Sequence, residues 1–338
     1  MVSDKSRIVI AGSGSIGCYV GGSLAAANRN VNFFTRPRAE TKLRQSGLRI
    51  VDLDGAEHLV STDSFQLNSD PKIAFAGAQI ILVSVKSGAT EEIVQLISQF
   101  APDNTIVVSL QNGVSNAETL RRFLPDTMTV VAGMVPFNVV QSDETGQPLT
   151  VRRTTQGTVL IGDNVPELPQ VLSTPSMPVQ SHTDIQGVLW GKLLMNLNNA
   201  PNALSNLPLA QQLADRNWRK LVADLMSEGL AAMTAHNIRP AKVQGVKPAI
   251  LPWILRLPDV LFRVIARRML AIDPRARSSM WEDFSRGRTT EIDYLQGVVI
   301  RLASEKGLAA PLSAKVIACV KKAEGKPLRS HSVDEIRA

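Results

Sequence analysis

The chain has 338 residues, of which 44% are hydrophobic and 20% charged, as in a globular protein of two domains and unlike a disordered or fibrous chain. Its two cysteines lack the spacing of a disulfide framework or a thiolate metal site, so we expect no metal and a reducing, cytoplasmic location. The formal net charge of +7 favours anionic partners, but the sequence lacks a recognised nucleic-acid-binding motif. We therefore expect no nucleic-acid partner, and no export, because the first residues lack signal-peptide features.

The first half of the sequence alternates short β-type runs with helical periods. Strands are predicted at residues 7–11, 31–35, 79–85 and 105–110, and later strands, parallel or antiparallel, at 128–137 and 157–161. Helices are predicted at residues 18–27 and 90–100. This alternation predicts a Rossmann-like, doubly wound α/β domain whose parallel sheet is covered on both faces.

The second half contains only helical periods from about residue 184. Two apolar stripes have helical spacing, namely Leu221, Leu225, Met226, Leu230 and Met233, and Ile292, Leu295, Val299 and Leu302. Two prolines interrupt both kinds of period at residues 175–183, which places the predicted boundary there. The sequence thus predicts a dinucleotide-binding domain at residues 1–180 and an all-α domain for substrate binding and dimerisation at residues 181–330.

The most apolar part of the second half is the segment at residues 248–272. Its prolines and arginines preclude a membrane-spanning helix, which needs about 20 apolar residues. A basic amphipathic segment could lie on a membrane surface, but packing against the domain or a second copy produces the same pattern. We favour packing, and therefore expect no membrane partner and consider a homodimer.

The motif GSGSIG lies between the first predicted strand and the first helix, where a dinucleotide-binding turn belongs. Gly12 permits the tight turn, Gly14 lets the backbone approach a pyrophosphate, and Gly17 allows close packing of the helix. Ser15 and Ile16 belong to the same motif and precede the predicted helix, whose amino end favours negative charge. The motif predicts that these five residues bind a dinucleotide.

The end of the second predicted strand indicates which dinucleotide binds. NAD-binding proteins usually place an acidic residue there for the ribose hydroxyl, whereas this sequence has Arg36, with Arg38 close by. A guanidinium can pair with the 2′-phosphate of NADP, which a carboxylate would repel. The sequence therefore predicts NADPH as the cofactor.

Further polar residues stand at strand ends and on one predicted helix. Lys86 and Asn112 each follow an apolar strand, at the sheet edge where ligands bind in α/β folds. Lys192, Asn196 and Asn199 are spaced at i, i+4 and i+7, which predicts one polar helical face beside apolar neighbours. Buried amides need partners, and a polar ligand would supply them.

The whole pattern resembles the ketopantoate reductase (2-dehydropantoate 2-reductase) family. The resemblance rests on GSGSIG, the lysine after VSV, QNG at Asn112, K-x-x-x-N at Lys192 and Asn196, and SSM-x-x-D followed by TEID. It implies a Rossmann domain that binds NADPH and a helical domain that closes over a 2-keto acid.

The resemblance also implies roles for individual residues. Lys192 would be the general acid that protonates the substrate carbonyl, and Glu291 would interact with it and orient the substrate. Asn196 and Ser279 would bind the substrate, with Asp283 in a supporting role. Lys86 and Asn112 match positions that contact cofactor and substrate, and Arg36 matches the basic residue for the 2′-phosphate. Because burial lowers and a carboxylate raises the pKa of a lysine, the direction for Lys192 stays open.

Two departures from the family pattern affect specificity. A second asparagine, common eight residues after the lysine, is Ala200 here, and Asn199 or Asn202 could substitute. Residues 242–277 form a longer segment than in compact members, with a lid or an interface as its possible role. The leading hypothesis is NADPH-dependent reduction of ketopantoate to pantoate, for pantothenate and coenzyme A biosynthesis. The alternatives are a reductase of another 2-keto acid and a non-catalytic NADPH sensor.

Overall fold

The β-branched runs of the first half form buried strands, and the helical periods between them form helices. The computed structural model describes residues 2–144, 146–242, 245–266 and 275–338. The chain divides into two units, Met1–Ile185, with strands and helices, and Gln186–Ala338, built from helices. The predicted fold class, a Rossmann-like α/β domain followed by an all-α domain, is confirmed.

The elements of the first unit follow the predicted alternation. The strands are β1 (Ile8–Ala11), β2 (Val31–Phe34), β3 (Leu48–Val51), β4 (Glu57–Val60), β5 (Gln66–Asn68), β6 (Ile80–Val83), β7 (Ile106–Ser109), β8 (Thr129–Met134), β9 (Val139–Ser142), β10 (Leu149–Arg153), β11 (Val159–Gly162) and β12 (Val179–His182). The helices are α1 (Ser15–Ala26), α2 (Pro37–Ser46), α3 (Pro71–Phe75), α4 (Thr90–Phe100), α5 (Asn116–Phe123) and α6 (Leu168–Leu172).

The main sheet has eight strands in the order β12-β11-β8-β7-β6-β1-β2-β5. All pairings from β8 to β5 are parallel, whereas β11 runs antiparallel to β8 and pairs in parallel with β12. Every residue of β1 and β6 is buried, as in strands covered on both faces. The carboxyl ends of the central parallel strands therefore meet at one edge, where ligands bind in this fold.

A second sheet of four strands, in the order β4-β3-β10-β9, was not predicted from the sequence. Its strands have four or five residues each, and β4 and β9 show several exposed positions, so apolar alternation is weak. The strand β12 lies within residues 175–183, where the sequence predicted a boundary between domains. The sequence analysis missed the second sheet and β12 for the same reason. Short strands with polar residues resemble loops in sequence.

The second unit is built from helices in its described residues. The helices are α7 (Ile185–Asn196), which begins at the last residue of the first unit, α8 (Asn199–Ser205), α9 (Leu209–Ala214), α10 (Arg216–Ala235), α11 (Leu251–Arg256), α12 (Asp259–Ile265), α13 (Ser279–Ser285), α14 (Gln296–Glu305), α15 (Pro311–Ala323) and α16 (Val333–Arg337). Both predicted apolar stripes face the core, with only Leu230 and Leu302 partly exposed.

The segment around α11 and α12 is attached to α10 through Arg219, a fully buried side chain. Its guanidinium donates hydrogen bonds to the carbonyl groups of Leu255 and Leu257 and to the Asp259 carboxylate, and it lies over the Phe262 ring. The exposed large apolar side chains of this segment are Ile250, Trp253, Val260, Leu261, Val264 and Ile265. The predicted apolar segment therefore packs against its own unit and also presents an apolar surface.

Part of this region lies outside the described residues, namely 243–244 and 267–274, which include the last part of the predicted segment 248–272. Within the described ranges, none of the helices is long and apolar enough to cross a membrane.

Candidate active site

The glycine-rich turn joins β1 to α1. It packs tightly at Gly12 and Gly17 and has open space at Gly14. Gly12 has a φ of +114°, which favours glycine, and its carbonyl accepts a hydrogen bond from the hydroxyl of Ser84 at 2.9 Å. A Cβ atom at Gly17 would lie 2.0 Å from the Gly12 oxygen, whereas one at Gly14 would meet no atom within 4 Å. The turn thus leaves space at Gly14 for a ligand to approach the backbone.

The first turn of α1 suits an anion. Gly14 is the N-cap, and no side chain among the described residues caps the helix. Ser15 and Ile16 begin the helix, so their amides contribute to the positive end of its dipole. Together with the space at Gly14, these features fit the pyrophosphate of a dinucleotide.

Arg36 lies where the sequence predicted it, directly after β2. It is exposed and forms the N-cap of α2, whose first residue is a proline that stops the strand. The preceding residue, Thr35, forms a hydrogen bond through its hydroxyl with the hydroxyl of Ser13 in the glycine-rich turn. This contact links the end of β2 to the turn, so Arg36 and the predicted pyrophosphate site belong to one rigid edge of the sheet.

Lys86 and Asn112 follow β6 and β7, which are neighbours in the main sheet, and a buried polar network joins the two loops. The hydroxyl of Ser87 donates to the Asn112 carbonyl at 3.0 Å, and the Asn116 amide donates to the same carbonyl at 2.5 Å. The Asn116 amide also donates to Ser87 Oγ at 3.1 Å, and Thr90 donates to the Ser87 carbonyl. The network fixes the backbone at both predicted residues.

The sequence did not predict Ser87, Thr90 or Asn116 as parts of this edge. Each is buried and polar, and each follows a strand by a few residues, which is the one signal that could have identified them.

Lys192 is a partly buried residue of α7, and Glu291 of the same unit acts on it electrostatically. Desolvation lowers the pKa of Lys192 to about 8, while the negative charge of Glu291 raises it and so limits the decrease. The direction that the sequence left open is therefore downward. A lysine with this pKa is largely protonated at neutral pH and can still release its proton, as a general acid must.

The predicted polar face of Lys192, Asn196 and Asn199 is divided between two helices. Helix α7 ends at Asn196, and Leu197 and Asn198 form a turn before α8 begins at Asn199. The turn is held by Gln296, whose buried amide donates to the Leu197 carbonyl at 2.8 Å. The sequence predicted one continuous helix here and did not predict this interruption.

Asn199 instead lies beside α13. Its amide Nδ2 is 3.4 Å from the hydroxyl oxygen of Ser279, the first residue of α13 and a predicted substrate ligand. The preceding Ser278 caps this helix and donates from its hydroxyl to the Asn199 carbonyl. Asp283 lies one turn further along, and its carbonyl accepts from the Arg288 amide where the helix ends. The start of α13 and the start of α8 thus present two polar side chains together.

Asn202, the other possible substitute at the Ala200 position, has a different role. It is fully buried, donates to the Leu207 carbonyl and to Gln212, and accepts from the Ser278 amide at 2.8 Å. All of its hydrogen-bonding groups are therefore used to join α8, α9 and α13. Ala200 itself is fully buried.

Within the first unit the structure brings the glycine-rich turn, Lys86 and Asn112 to one edge of the sheet, and within the second it brings together Lys192 with Glu291 and Asn199 with Ser279. In the described part of the chain, no group of three or more His, Cys, Asp or Glu side chains is arranged to hold a metal ion.

Two family models match consecutive parts of the chain. The model described as ketopantoate reductase PanE/ApbA matches residues 8–166, and the one for the C-terminal domain of the same family matches residues 184–324. The 2-dehydropantoate 2-reductase of Halobacterium salinarum is 27% identical over 315 residues, which cover 90% of this chain and 95% of the relative.

Solved structures agree in fold. A PanE/ApbA family ketopantoate reductase from Ralstonia eutropha JMP134 has a TM-score of 0.77 and 29% identity, and the match covers 94% of this chain and 98% of that one. A ternary structure of D-mandelate dehydrogenase with NADH and anilino(oxo)acetate has a TM-score of 0.74 at 19% identity, over 94% and 98% of the two chains, and shows the fold alone. On the strength of both family models, the chain belongs to the ketopantoate reductase PanE/ApbA family of oxidoreductases.

Proposed function

We propose that this protein is an NADPH-dependent 2-dehydropantoate 2-reductase, which reduces ketopantoate to pantoate for pantothenate and coenzyme A biosynthesis. Family membership and relatives with this name support the reaction. The observation that carries the proposal is Lys192, whose pKa is lowered to about 8 beside Glu291. A proton donor of this strength suits the reduction of a ketone at neutral pH.

In the proposed mechanism Lys192 donates a proton from Nζ to the carbonyl oxygen of the substrate. Hydride addition to a ketone carbon leaves negative charge on that oxygen, so a nearby ammonium stabilises the transition state more than the ground state. Glu291 keeps the lysine protonated before the reaction and orients it. The bound nicotinamide cofactor supplies the hydride, and the ketone becomes a secondary alcohol.

Two sets of residues would hold the reactants. Gly12, Gly14, Ser15, Ile16 and Gly17 would bind the pyrophosphate, Arg36 the 2′-phosphate, and Lys86 and Asn112 the nicotinamide end, with Asn112 also near the substrate. Asn196, Ser279 and Asp283 would bind and support the 2-keto acid, and we add Asn199 because its amide lies next to the Ser279 hydroxyl.

Steady-state oxidation of NADPH with ketopantoate tests the proposal, in the wild type and in Lys192→Ala. We expect a loss of about 100-fold or more in kcat, the scale of a positioned general acid. Lys220→Ala is the matched control, since Lys220 is an exposed residue of α10 in the same unit. Equal turnover in wild type and Lys192→Ala would show that Lys192 is not the general acid.

A second candidate is the reduction of a different branched or hydroxylated 2-keto acid. The observation that favours it is Ala200, which is buried and cannot bind a substrate hydroxyl as the asparagine common at this position would. A panel of 2-keto acids with NADPH and with NADH separates the candidates by kcat/KM. Tight NADPH binding without turnover of any of these acids would favour a sensor instead. The proposal also includes a cytoplasmic location and a homodimer.

A further inference from the structure

Glu291 belongs to a short segment that precedes the 3-10 turn Ile292–Tyr294, and the residue before it is held by Glu324. The backbone amide of Thr290 donates to Oε1 of Glu324 at 2.9 Å, and the Thr290 hydroxyl donates to the same oxygen at 2.6 Å. Glu324 directly follows α15, and both residues are partly buried. Two hydrogen bonds to one charged, partly buried acceptor make a strong local constraint.

The residue two positions after Glu291 also contacts the end of α15. Lys321 Nζ lies 2.8 Å from the carboxylate of Asp293, but both side chains are more than half exposed, so this ion pair contributes little. Glu291 is thus bracketed by two contacts to the last turn of α15. The Glu324 contact is the stronger of the two.

The position of Glu291 matters because its charge opposes the desolvation of Lys192. The interaction of two charges falls with their separation, so a displaced Glu291 would support the protonated lysine less well. The charged groups concerned are Lys192 on α7, Glu291 and Asp293 at the 3-10 turn, and Lys321 and Glu324 at the end of α15.

We propose that Glu324 is a positioning residue, which holds Thr290 and thereby keeps the neighbouring Glu291 in place beside Lys192. The inference rests on the proposed function, in which Lys192 is the general acid. It adds a residue that acts through Thr290 and Glu291 and is not itself proposed to bind the reactants.

The test compares Glu324→Ala, Glu324→Gln and Thr290→Val by their kcat–pH profiles. Glu324→Ala removes the acceptor, so we expect kcat to fall by about 10-fold and the alkaline limb to move to lower pH, as in Glu291→Ala. Glu324→Gln keeps an acceptor oxygen without the charge and should retain most of the wild-type profile. In the double variant Glu324→Ala/Glu291→Ala, the alkaline limb of the kcat–pH profile should lie at the same pH as in Glu291→Ala alone. Both substitutions act through the same interaction between Glu291 and Lys192, so their effects should not add.

Lys192 can also be titrated without turnover, by competitive labelling with acetic anhydride at several pH values and mass spectrometry. The inference would be overturned if Glu324→Ala had the same labelling profile and the same kcat–pH profile as the wild type. It would also be overturned if Glu324→Ala lost thermal stability and neither profile changed. Thr290→Val provides the same readout if Glu324→Ala does not fold. A wild type that reduces no 2-keto acid would defeat the proposed function, while labelling would still measure the effect of Glu324 on Lys192.

Discussion

The amide of Asn199 lies 3.4 Å from the Ser279 hydroxyl, while Asn202, one turn later on α8, is fully occupied by the core. The two residues have the same chemistry and opposite surroundings. Only Asn199 is partly exposed and lies beside a predicted substrate ligand. Of the two residues, Asn199 is therefore the candidate to replace the asparagine that the family commonly has at the position of Ala200.

Alanine substitutions separate these two roles. Asn199→Ala removes one hydrogen bond to a hydroxylated 2-keto acid, so we expect KM to rise by about 5- to 10-fold with unchanged thermal stability. Asn202→Ala leaves the buried Ser278 amide without its acceptor and should lower the free energy of unfolding by about 2 kcal/mol. Steady-state kinetics of both variants measure KM, and denaturant unfolding measures their free energies of unfolding. The assignment is wrong if Asn199→Ala unfolds as readily as Asn202→Ala.

Lys192 should reduce stability while it serves catalysis. Its pKa is lower in the folded protein than the usual 10.5, so the folded state binds fewer protons between the two values. Stability therefore rises with pH from about 8 to about 10.5, and the cost of the buried charge is fully present below pH 8. We expect Lys192→Met to abolish reduction and to raise the free energy of unfolding at pH 7 by about 2 kcal/mol. Urea unfolding at pH 7 and pH 10 is the measurement, and a destabilised variant at pH 7 would refute the argument.

The glycine-rich turn offers a matched pair of substitutions. Gly14→Ala places a methyl group in open space, so the protein should keep its stability and bind NADPH about 10-fold or more weakly, a loss above about 1.4 kcal/mol. Gly17→Ala forces a methyl group against the Gly12 carbonyl and should cost about 1–3 kcal/mol of stability. Thermal unfolding and fluorescence titration with NADPH distinguish the two. Normal NADPH affinity in Gly14→Ala would argue against a pyrophosphate at this position.

Arg36 should determine the preference between the two nicotinamide cofactors. Its loss in Arg36→Ala removes charge-assisted hydrogen bonds of about 1.5–3 kcal/mol to a 2′-phosphate, so KM for NADPH should rise by about 10- to 100-fold. KM for NADH should change little, because NADH lacks that phosphate. Lys72, an exposed residue of α3 in the same unit, provides the control substitution. Equal changes in KM for NADPH and NADH would show that Arg36 does not bind the 2′-phosphate.

The apolar surface of α11 and α12 should mediate self-association. Five exposed large apolar side chains lie on these two helices and a sixth, Ile250, lies just before them, and large exposed apolar patches mark interaction sites. Arg256 pairs with Asp224 and Asp259 with Arg219, which offsets part of the positive charge of this basic segment where two copies would meet. Light scattering should report a dimer for the wild type and a monomer for Val264→Glu. A monomeric wild type at high concentration would contradict this.

Much of this structure could be predicted from patterns that repeat over several residues. The buried runs of β1 and β6, the stripe on α10 and the glycine-rich turn are set by local periodicity and backbone chemistry. The strands β3 and β10 could not be predicted, because such short strands pair with each other across about 100 residues of sequence. The strand β4 pairs with the neighbouring β3, but three of its four residues are exposed, so its sequence resembles a loop. The turn at Leu197 was missed for a similar reason, since Gln296, which holds it, is 99 residues away.

The candidate site shows the same division. Lys192 could be singled out from helical spacing and Glu291 from the resemblance to a known family, but the direction of the Lys192 pKa depends on how far burial outweighs one charge. The separate roles of Asn199 and Asn202 follow from contacts with α13 and α9, which the spacing within α8 does not encode.

The break between α7 and α8 separates the proposed proton donor from part of the proposed substrate contacts. Lys192 and Asn196 lie before the turn at Leu197, whereas Asn199 and the buried Ala200 lie after it. If Lys192 is the general acid, a substitution in α8 would change the surroundings of Asn199 while the helix that carries Lys192 and Asn196 keeps its sequence. We therefore expect natural variation in α8 to alter the preferred 2-keto acid more than the type of reaction.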